Sequence, residues 1–121
     1  MGDIATDDED LKFVMDERAI EAHISGLFDE NMDKAHEVYE NDAVLLQPQF
    51  GVTVAGRENI KAERRKQGRT LIKVNSVLGQ DDLWIAESTF KERSKALIVV
   101  NIMEFRDGQI VREKEYLCNL G

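Results

Sequence analysis

The clearest pattern in the chain is the run Ala96-Leu-Ile-Val-Val-Asn-Ile-Met-Glu-Phe-Arg-Asp-Gly-Gln-Ile-Val-Arg-Glu-Lys-Glu-Tyr-Leu117. It predicts two β-strands joined by a three-residue loop, Arg106-Asp107-Gly108, in which Gly108 takes the positive φ angle. The first strand is apolar on both faces, and only Asn101 interrupts it. Because a polar amide in a buried sheet needs a hydrogen-bond partner or a ligand, Asn101 is a candidate site residue.

The segments before this hairpin predict helices first and then antiparallel strands. A long amphipathic helix over about Asp10–Asp29 comes first, and a short helix that Asp33 caps and that carries Ala35, Val38 and Tyr39 follows it. Next are a strand over Ala43–Gln47 and an irregular segment between Gly51 and Gly56. A helix over Arg57–Gln67, ended by Gly68, precedes strands over Thr70–Gly79 and Leu83–Glu92. Such segregation is typical of an α+β fold, with the helices on one face of a bent sheet. The long first helix is the candidate to cover the concave face.

The composition is that of an ordinary globular domain, with 42% hydrophobic and 33% charged residues among 121. We predict an acidic, frayed tail over residues 1–10 and a single domain over residues 11–121. The net charge of −8 argues against nucleic acid and membrane as partners, since both favour a positive surface. One basic cluster is interpreted as the solvated face of the third helix: Lys61, Arg64, Arg65, Lys66 and Arg69.

Location is predicted from cysteine usage and from the N-terminus. The single Cys118 allows no intramolecular disulfide and fits a reducing compartment. No run approaches the roughly 20 apolar residues of a membrane span, and the N-terminus is acidic where a signal peptide is basic. These features predict a cytoplasmic protein.

Three segments together resemble the nuclear transport factor 2-like superfamily, and most of all its SnoaL-like polyketide-cyclase branch. They are Val38–Pro48, Gly56–Ile60 and Glu104–Tyr116, and with the element order the resemblance covers about residues 12 to 118. It implies a cone-shaped barrel, in which a bent sheet wraps around the long helix and a pocket opens between them. Members include isomerases, dehydratases, cyclases, epoxide hydrolases and non-catalytic association domains, so the fold does not determine the chemistry.

The catalytic residues of two branches do not carry over. Where ketosteroid isomerases place a general-base Asp before a proline, this chain has Gln47, and where they place a protonated Asp it has Asn101. His23 or its neighbour Ile24 stands at the position of their tyrosine donor. A glutamine cannot abstract a proton, so that isomerase mechanism is excluded. Epoxide hydrolases of this superfamily place a catalytic Arg and Asp on the strand that matches Leu83–Glu92, and this chain has no substitute for them there. Their last-strand Asp corresponds to Glu115.

Strand alternation separates a pocket face from an outer face. A two-residue turn at Arg93-Ser94 places four side chains of one strand opposite five of the next on the pocket side: Trp84, Ala86, Ser88 and Phe90 opposite Leu97, Val99, Asn101, Met103 and Phe105. The outer residues of the second strand are also apolar: Ala96, Ile98, Val100 and Ile102. No long helix remains to cover them, so a second copy of the chain is the expected cover, which predicts a homodimer.

Two carboxylates are the strongest candidates for chemistry. The three-residue loop directs Val111, Glu113, Glu115 and Leu117 into the cone, where burial and repulsion favour protonation of one glutamate. Alternatively, Glu113 and Glu115 lie near the open rim or pair with a lysine or arginine of a neighbouring strand. A two-residue loop at Asp107-Gly108 would instead place both outside.

His23 is a candidate general base or donor, or else a half-buried histidine bonded to Glu115 or Gln47. His36 is predicted at the surface. Histidines on separate helices and a distant cysteine give no metal spacing, and we predict neither a metal nor a cofactor.

Six residues are candidates to contact a substrate: Gln47, Asn101, Trp84, Met103, Ser88 and Phe105. The two amides would orient a polar group, or else bond to sheet edges or water. The large apolar side chains suit a flat ligand, or else are plain core.

Two functions follow from these candidates. One is acid–base catalysis (cyclisation, isomerisation or dehydration) on a small apolar carbonyl compound, with Glu115 as acid/base and His23 as its partner. The other is a non-catalytic, dimeric ligand-binding or association module of the same fold.

Overall fold

A computed structural model describes residues 15–120 of the chain. Within that range there are three α-helices, six strands and a short 3₁₀ turn. Their bounds are α1 Glu17–Gly26, α2 Met32–His36, β1 Tyr39–Gln47, the 3₁₀ turn Pro48–Phe50, β2 Val52–Ala55, α3 Arg57–Gln67, β3 Thr70–Gln80, β4 Leu83–Glu92, β5 Lys95–Arg106 and β6 Gln109–Asn119.

The six strands form one sheet in the order β2-β1-β6-β5-β4-β3. All neighbouring pairs are antiparallel except β1 and β6, which run parallel. The predicted α+β class and mainly antiparallel sheet are confirmed, but the sheet is open, with β2 and β3 at its edges. The buried residues Ile20 and Ile24 of α1 belong to one hydrophobic core with Phe90 and Val99 of the sheet.

The first helix is shorter than predicted, and the predicted long helix is not confirmed. Asp16 has an extended backbone and caps α1, because its carboxylate accepts a hydrogen bond of 2.8 Å from the Ala19 amide. The helix ends at Gly26, where an added Cβ would lie only 3.2 Å from Ala35 Cβ, just before the end of α2. The end of α1 therefore packs closely against α2, and the helix does not continue for another turn. The predicted tail and residues 10–14 of the predicted helix lie outside the described residues.

The second helix also ends early. It stops at His36, so Val38 lies outside it and Tyr39 begins β1 instead of continuing the helix. Asn31 occupies the N-cap position predicted for Asp33. Instead, the Asp33 carboxylate lies 3.1 Å from the Lys61 ammonium on α3.

The segment between Gly51 and Gly56 is strand β2 rather than irregular, and it pairs with β1. Helix α3 has its predicted bounds. The predicted cap is confirmed too, since Gly68 is left-handed (φ 58°) and its amide donates to Arg64 O at 3.2 Å.

The last hairpin has a two-residue loop, not the three-residue loop predicted. Arg106 pairs with Gln109, and both Asp107 (φ 51°) and Gly108 (φ 82°) are left-handed. A β-bulge follows, because the register passes from Phe105↔Ile110 to Glu104↔Arg112 and leaves Val111 unpaired.

The bulge compensates for the loop. A two-residue loop alone would turn the predicted pocket residues of β6 outward, and the extra residue restores their face. Glu113 and Glu115 are therefore buried as predicted, while Ile110 takes the inward position predicted for Val111.

Among the described residues, no helix is long and apolar enough to cross a membrane. Cys118 is exposed and is not part of a disulfide.

Candidate functional site

The concave side of the sheet holds an unusual number of buried polar groups. They are His23, His36, Gln47, Arg64, Arg69, Ser88, Asn101, Glu113 and Glu115. Strand alternation places Ser88, Asn101 and the two glutamates there, and the side chains of β4 and β5 that were predicted to point inward are the buried ones. The arginines reach the same interior from α3 and from the residue before β3.

Glu113 is fully buried and fully partnered. Its carboxylate accepts a short hydrogen bond from the Tyr39 hydroxyl, one of 3.0 Å from Arg64 Nη2 and one of 2.6 Å from Asn101 Nδ2. Charged hydrogen bonds of this kind are the strong ones in a protein interior. Glu113 is therefore fixed in place, by an arginine of a helix rather than of a neighbouring strand.

Arg64 is the centre of this cluster, and its predicted place on a solvated helix face is wrong. It is 0% exposed, and its Nη1 donates to the Tyr39 hydroxyl at 2.7 Å and to His36 Nε2 at 3.2 Å. Burial would lower the pKa of Arg64, but the groups around it, Tyr39 and Glu113 foremost, raise it above its ordinary value. The guanidinium thus stays charged.

Glu115 is equally buried but more loosely held. Gln47 Nε2 donates to its Oε1 at 2.8 Å. The nearest donors to its Oε2 are Asn101 Nδ2 at 3.4 Å, Arg69 Nη1 at 3.6 Å and Arg64 Nη2 at 4.0 Å. At these distances the two arginines form ion pairs with Glu115, but they are too far away for hydrogen bonds.

Arg69 is the second arginine that was predicted at the surface and is buried instead. Its Nε donates to Glu92 Oε1 at 2.8 Å, and its guanidinium carbon lies 5.8 Å from the centre of the Phe28 ring. Its Nη1 has no hydrogen-bond partner, although it faces Glu115. This guanidinium therefore has bonding capacity left.

The two histidines belong to the Tyr39 side of the interior. His23 Nε2 lies 3.5 Å from the Tyr39 hydroxyl, and among the described residues no hydrogen bond joins His23 to Glu115 or Gln47. His36 is buried, contrary to its predicted surface position, and its Nδ1 donates to Met32 O at 2.8 Å.

Both imidazoles are neutral at ordinary pH. Burial, followed by the charge of Arg64, lowers the pKa of His23 to about 3 and that of His36 to about 4. Burial also raises the pKa of Tyr39 well above its usual value, so its hydroxyl stays a donor. Neither histidine supplies a proton near neutrality.

The remaining predicted contact residues divide into core and polar groups. Trp84, Met103 and Phe105 are buried in the hydrophobic core, and Trp84 Nε1 donates to Asp81 O at 3.0 Å. Ser88 Oγ and Asn101 Oδ1 are buried without a hydrogen-bond partner. Buried polar atoms of this kind are rare in native proteins, and water or a ligand usually accounts for them.

A surface groove of about 420 Å³ leads to Arg69. Its walls include Ile24, Phe28 and Leu71, with Ser25, Asp29 and Thr70 completing it. A second groove of about 510 Å³ lies between α1 and α2 beside His23. Among the described residues, no group of three or more His, Cys, Asp or Glu side chains is placed to hold a metal ion.

Sequence reasoning missed Arg64, Arg69, Tyr39 and His36 as interior residues. One signal pointed to Arg64, since it lies four residues after Ile60 and both are fully buried on one face of α3. When the basic cluster is interpreted by its charge alone, this helical spacing of Ile60 and Arg64 is overlooked.

No protein-family model matches this sequence, and a search of curated proteins finds no match either. Solved structures do match. An NTF-2-like protein of unknown function from Burkholderia xenovorans is 29% identical, with a TM-score of 0.74 over 86% of this chain and 83% of that one.

Two further solved structures are more distant in sequence. A putative SnoaL-like polyketide cyclase from Shewanella denitrificans is 11% identical, with a TM-score of 0.68 over 83% of this chain and 87% of that one. An LEH-like epoxide hydrolase from M. tuberculosis is 19% identical, with a TM-score of 0.67 over 84% of this chain and 80% of that one. These similarities confirm, at the level of the fold, the predicted resemblance to the nuclear transport factor 2-like superfamily. The putative SnoaL-like polyketide cyclase shares this fold.

Proposed function

We propose that this chain of nuclear transport factor 2-like fold binds a small apolar molecule by one polar group inside the cone, without acid–base turnover. The observation that carries the proposal is a group of buried, unpartnered polar atoms on the inward side of the sheet, among them Arg69 Nη1, Ser88 Oγ and Asn101 Oδ1. Arg69 and Asn101 face Glu115, and Ser88 is the diagonal neighbour of Asn101 on the next strand. Neighbouring proteins of this fold include a putative polyketide cyclase and an epoxide hydrolase, so the scaffold is one associated with small-molecule processing.

Acid–base catalysis by Glu115 with His23 is less well supported. His23 contacts Tyr39, and its pKa near 3 makes the imidazole a poor base and keeps it unprotonated. Glu115 faces two cations, with its Oε2 3.6 Å from Arg69 Nη1 and 4.0 Å from Arg64 Nη2, and among the described residues His23 is not its hydrogen-bond partner. Glu113 is held by Arg64, Tyr39 and Asn101 and has no freedom to approach a substrate.

The test is a nitrogen-15 NMR titration with a panel of small apolar compounds that each carry one polar group. We expect chemical-shift changes at the amides of Arg69, Ser88 and Asn101, and unchanged compounds by mass spectrometry after prolonged incubation. Conversion of a compound would replace binding by catalysis. Shift changes confined to the outer face of the sheet would contradict the proposed site.

Two tryptophan variants give a matched control. Leu71 lines the groove that leads to Arg69, so Leu71→Trp should obstruct entry and weaken binding at least tenfold. The next residue, Ile72, is 58% exposed, and Ile72→Trp should leave affinity unchanged. Equal effects would mean that the ligand does not enter through this groove.

We also propose that two copies associate through the outer face of the sheet. Ile98, Val100 and Ile102 are only partly buried there, and Leu78 and Leu83 are exposed. A shallow groove of about 990 Å³ on this face carries both charge signs, with Asp81, Asp82 and Glu104 near Arg106 and Lys114. An apolar patch bordered by both acidic and basic side chains is suited to binding the same patch on a second copy of the chain.

Sedimentation equilibrium at micromolar concentration tests the homodimer. Ile102→Glu should give a monomer, whereas Phe50→Glu, an equally disruptive change at an exposed site beside β1, should not. A monomeric parent protein would contradict the proposal. The exposed single Cys118 suits the reducing cytoplasm that we propose as its location.

A further inference from the structure

The interior that surrounds Glu115 is electrically balanced. Among the described residues, its buried charged groups are two arginines, Arg64 and Arg69, and two glutamates, Glu113 and Glu115, while His23 and His36 are neutral. Glu92, which bonds to Arg69 Nε, is partly exposed and so is balanced by solvent as well as by Arg69. A further unit of charge placed there would lack a counter-ion and would also lose its hydration. The balance therefore disfavours a charged ligand group of either sign.

The unpartnered atoms in the same place require both kinds of hydrogen bond. Arg69 Nη1 can only donate, Asn101 Oδ1 can only accept, and Ser88 Oγ can do either. Glu115 Oε2 is a further acceptor, because its nearest donor is 3.4 Å away. A complementary group must itself donate and accept.

The sheet register places these atoms together. Asn101 lies directly opposite Glu115 on β6, and Ser88, opposite Val99, is its diagonal neighbour on the same face. Diagonal neighbours in a sheet lie roughly 7–8 Å apart at Cα, within reach of one small bridging group. Arg69 closes the arrangement from the groove side, with its Nη1 3.6 Å from Glu115 Oε2.

We propose that the ligand's polar end is an uncharged group that both donates and accepts hydrogen bonds, a primary carboxamide being the simplest, held between Arg69, Ser88, Asn101 and Glu115. This inference rests on the proposed binding function. The carbonyl oxygen accepts from Arg69 Nη1 and from the Ser88 hydroxyl, and the amide N–H groups donate to Glu115 Oε2 and Asn101 Oδ1. The apolar part lies in the groove beside Ile24, Phe28 and Leu71, whose volume of about 420 Å³ suits a small ligand.

Three compounds of nearly equal shape separate the effect of charge from that of size: 4-butylbenzamide, 4-butylbenzoate and 4-butylbenzylamine. At neutral pH the first is uncharged, the second is an anion and the third a cation. We expect the benzamide to bind at least tenfold more tightly than either of the others, measured by NMR titration of the full chain. Equal or tighter binding of a charged compound inside the cone would overturn the inference and leave the proposed binding function standing.

Failure of all three compounds to bind would also overturn the inference. The proposed function fails only if the wider panel of apolar compounds shifts none of the interior amides. The two failures are therefore distinguishable.

Ser88→Ala locates the amide. Ser88 Oγ has no partner to lose, so the variant should fold with unchanged or higher stability, yet bind 4-butylbenzamide about three- to tenfold more weakly. Ser94→Ala, at an exposed turn between β4 and β5, is the matched control and should bind like the parent. Unchanged affinity in Ser88→Ala would place the polar group elsewhere and overturn the inference.

Discussion

Glu113 and Glu115 lie two residues apart on the same face of β6, and both are almost completely buried, at 0% and 2% exposure. Their surroundings differ. Glu113 accepts short bonds from Tyr39, Arg64 and Asn101, whereas Glu115 accepts one good bond, from Gln47, and faces its arginines at 3.6 Å and 4.0 Å.

The difference separates a structural carboxylate from one that can change partners. Moving Glu113 would break three charged hydrogen bonds and strand Arg64 in the interior, which is costly. Moving or sharing one oxygen of Glu115 breaks no short bond. Glu113 is therefore part of the framework, and the difference supports Glu115 as the carboxylate of the proposed ligand site.

The largest expected effect is that of Arg64→Met. This change removes the cation from a fully buried pair and leaves Glu113 uncompensated, so the free energy of unfolding should fall by about 3–5 kcal/mol. Arg69→Met is the matched comparison, and it should cost less, about 1–3 kcal/mol, because its hydrogen-bonded partner Glu92 is partly exposed and Glu115 keeps its bond from Gln47. Urea unfolding, followed by circular dichroism, measures both.

Equal losses in the two arginine variants would remove the distinction between the glutamates. If Arg64→Met does not fold, Arg64→Lys serves instead, because it keeps the charge but not the fork of donors. It should still be the less stable variant when compared with Arg69→Lys.

Lowering the pH should reduce the free energy of unfolding by a smaller amount, through the two histidines that lie beside Tyr39 and Glu113. His23 has a pKa of about 3 in the folded chain against an ordinary value of 6.5, so the unfolded state takes up a proton first as pH falls. Stability is therefore complete above about pH 6.5 and falls below it, by about 2 kcal/mol at about pH 5 from His23 alone. His36, whose pKa is lowered to about 4, adds to the loss in the same window.

Urea unfolding at neutral pH and near pH 5 measures this loss. His23→Gln should reduce the pH dependence, while Arg69→Met, which leaves both histidines in place, should retain it. A parent protein equally stable at the two pH values would show that the histidines are not buried as neutral groups.

The parts of this interior that the sequence predicted are those set by local pattern. Alternation placed Ser88 and Asn101 inward, as observed. Gly68 marked the end of α3 directly after Gln67, and it is the left-handed cap found there. These features depend on neighbours in the sequence, and so they can be predicted from it.

The parts that could not be predicted depend on partners far away in the sequence. Arg64 is buried because Glu113, 49 residues later, neutralises it, and no local pattern contains that information. Tyr39 leaves the predicted helix because its hydroxyl bonds to the same pair. Glu113 and Glu115 were predicted to point inward from a three-residue loop, which is wrong. They do point inward, because the bulge at Val111 adds the residue that the two-residue loop lacks.

The smallest expected effect is that of Glu115→Gln, which tests the other half of the comparison. The amide keeps the shape of the side chain and can still accept from Gln47. We therefore expect the free energy of unfolding to change by no more than about 1 kcal/mol, against several for Glu113→Gln, which leaves Arg64 without its counter-ion. Urea unfolding of the two variants at neutral pH makes the comparison directly.

The same variant also changes the charge balance of the interior, because Glu115→Gln leaves Glu113 as the one buried carboxylate beside Arg64 and Arg69 among the described residues, with Glu92 at the partly exposed edge. It should accordingly bind 4-butylbenzoate more tightly than the parent does, with its fold intact, and the NMR titration of the two proteins measures this. A large loss of stability in Glu115→Gln would make Glu115 part of the framework, and the ligand would then have to be sought elsewhere in the molecule.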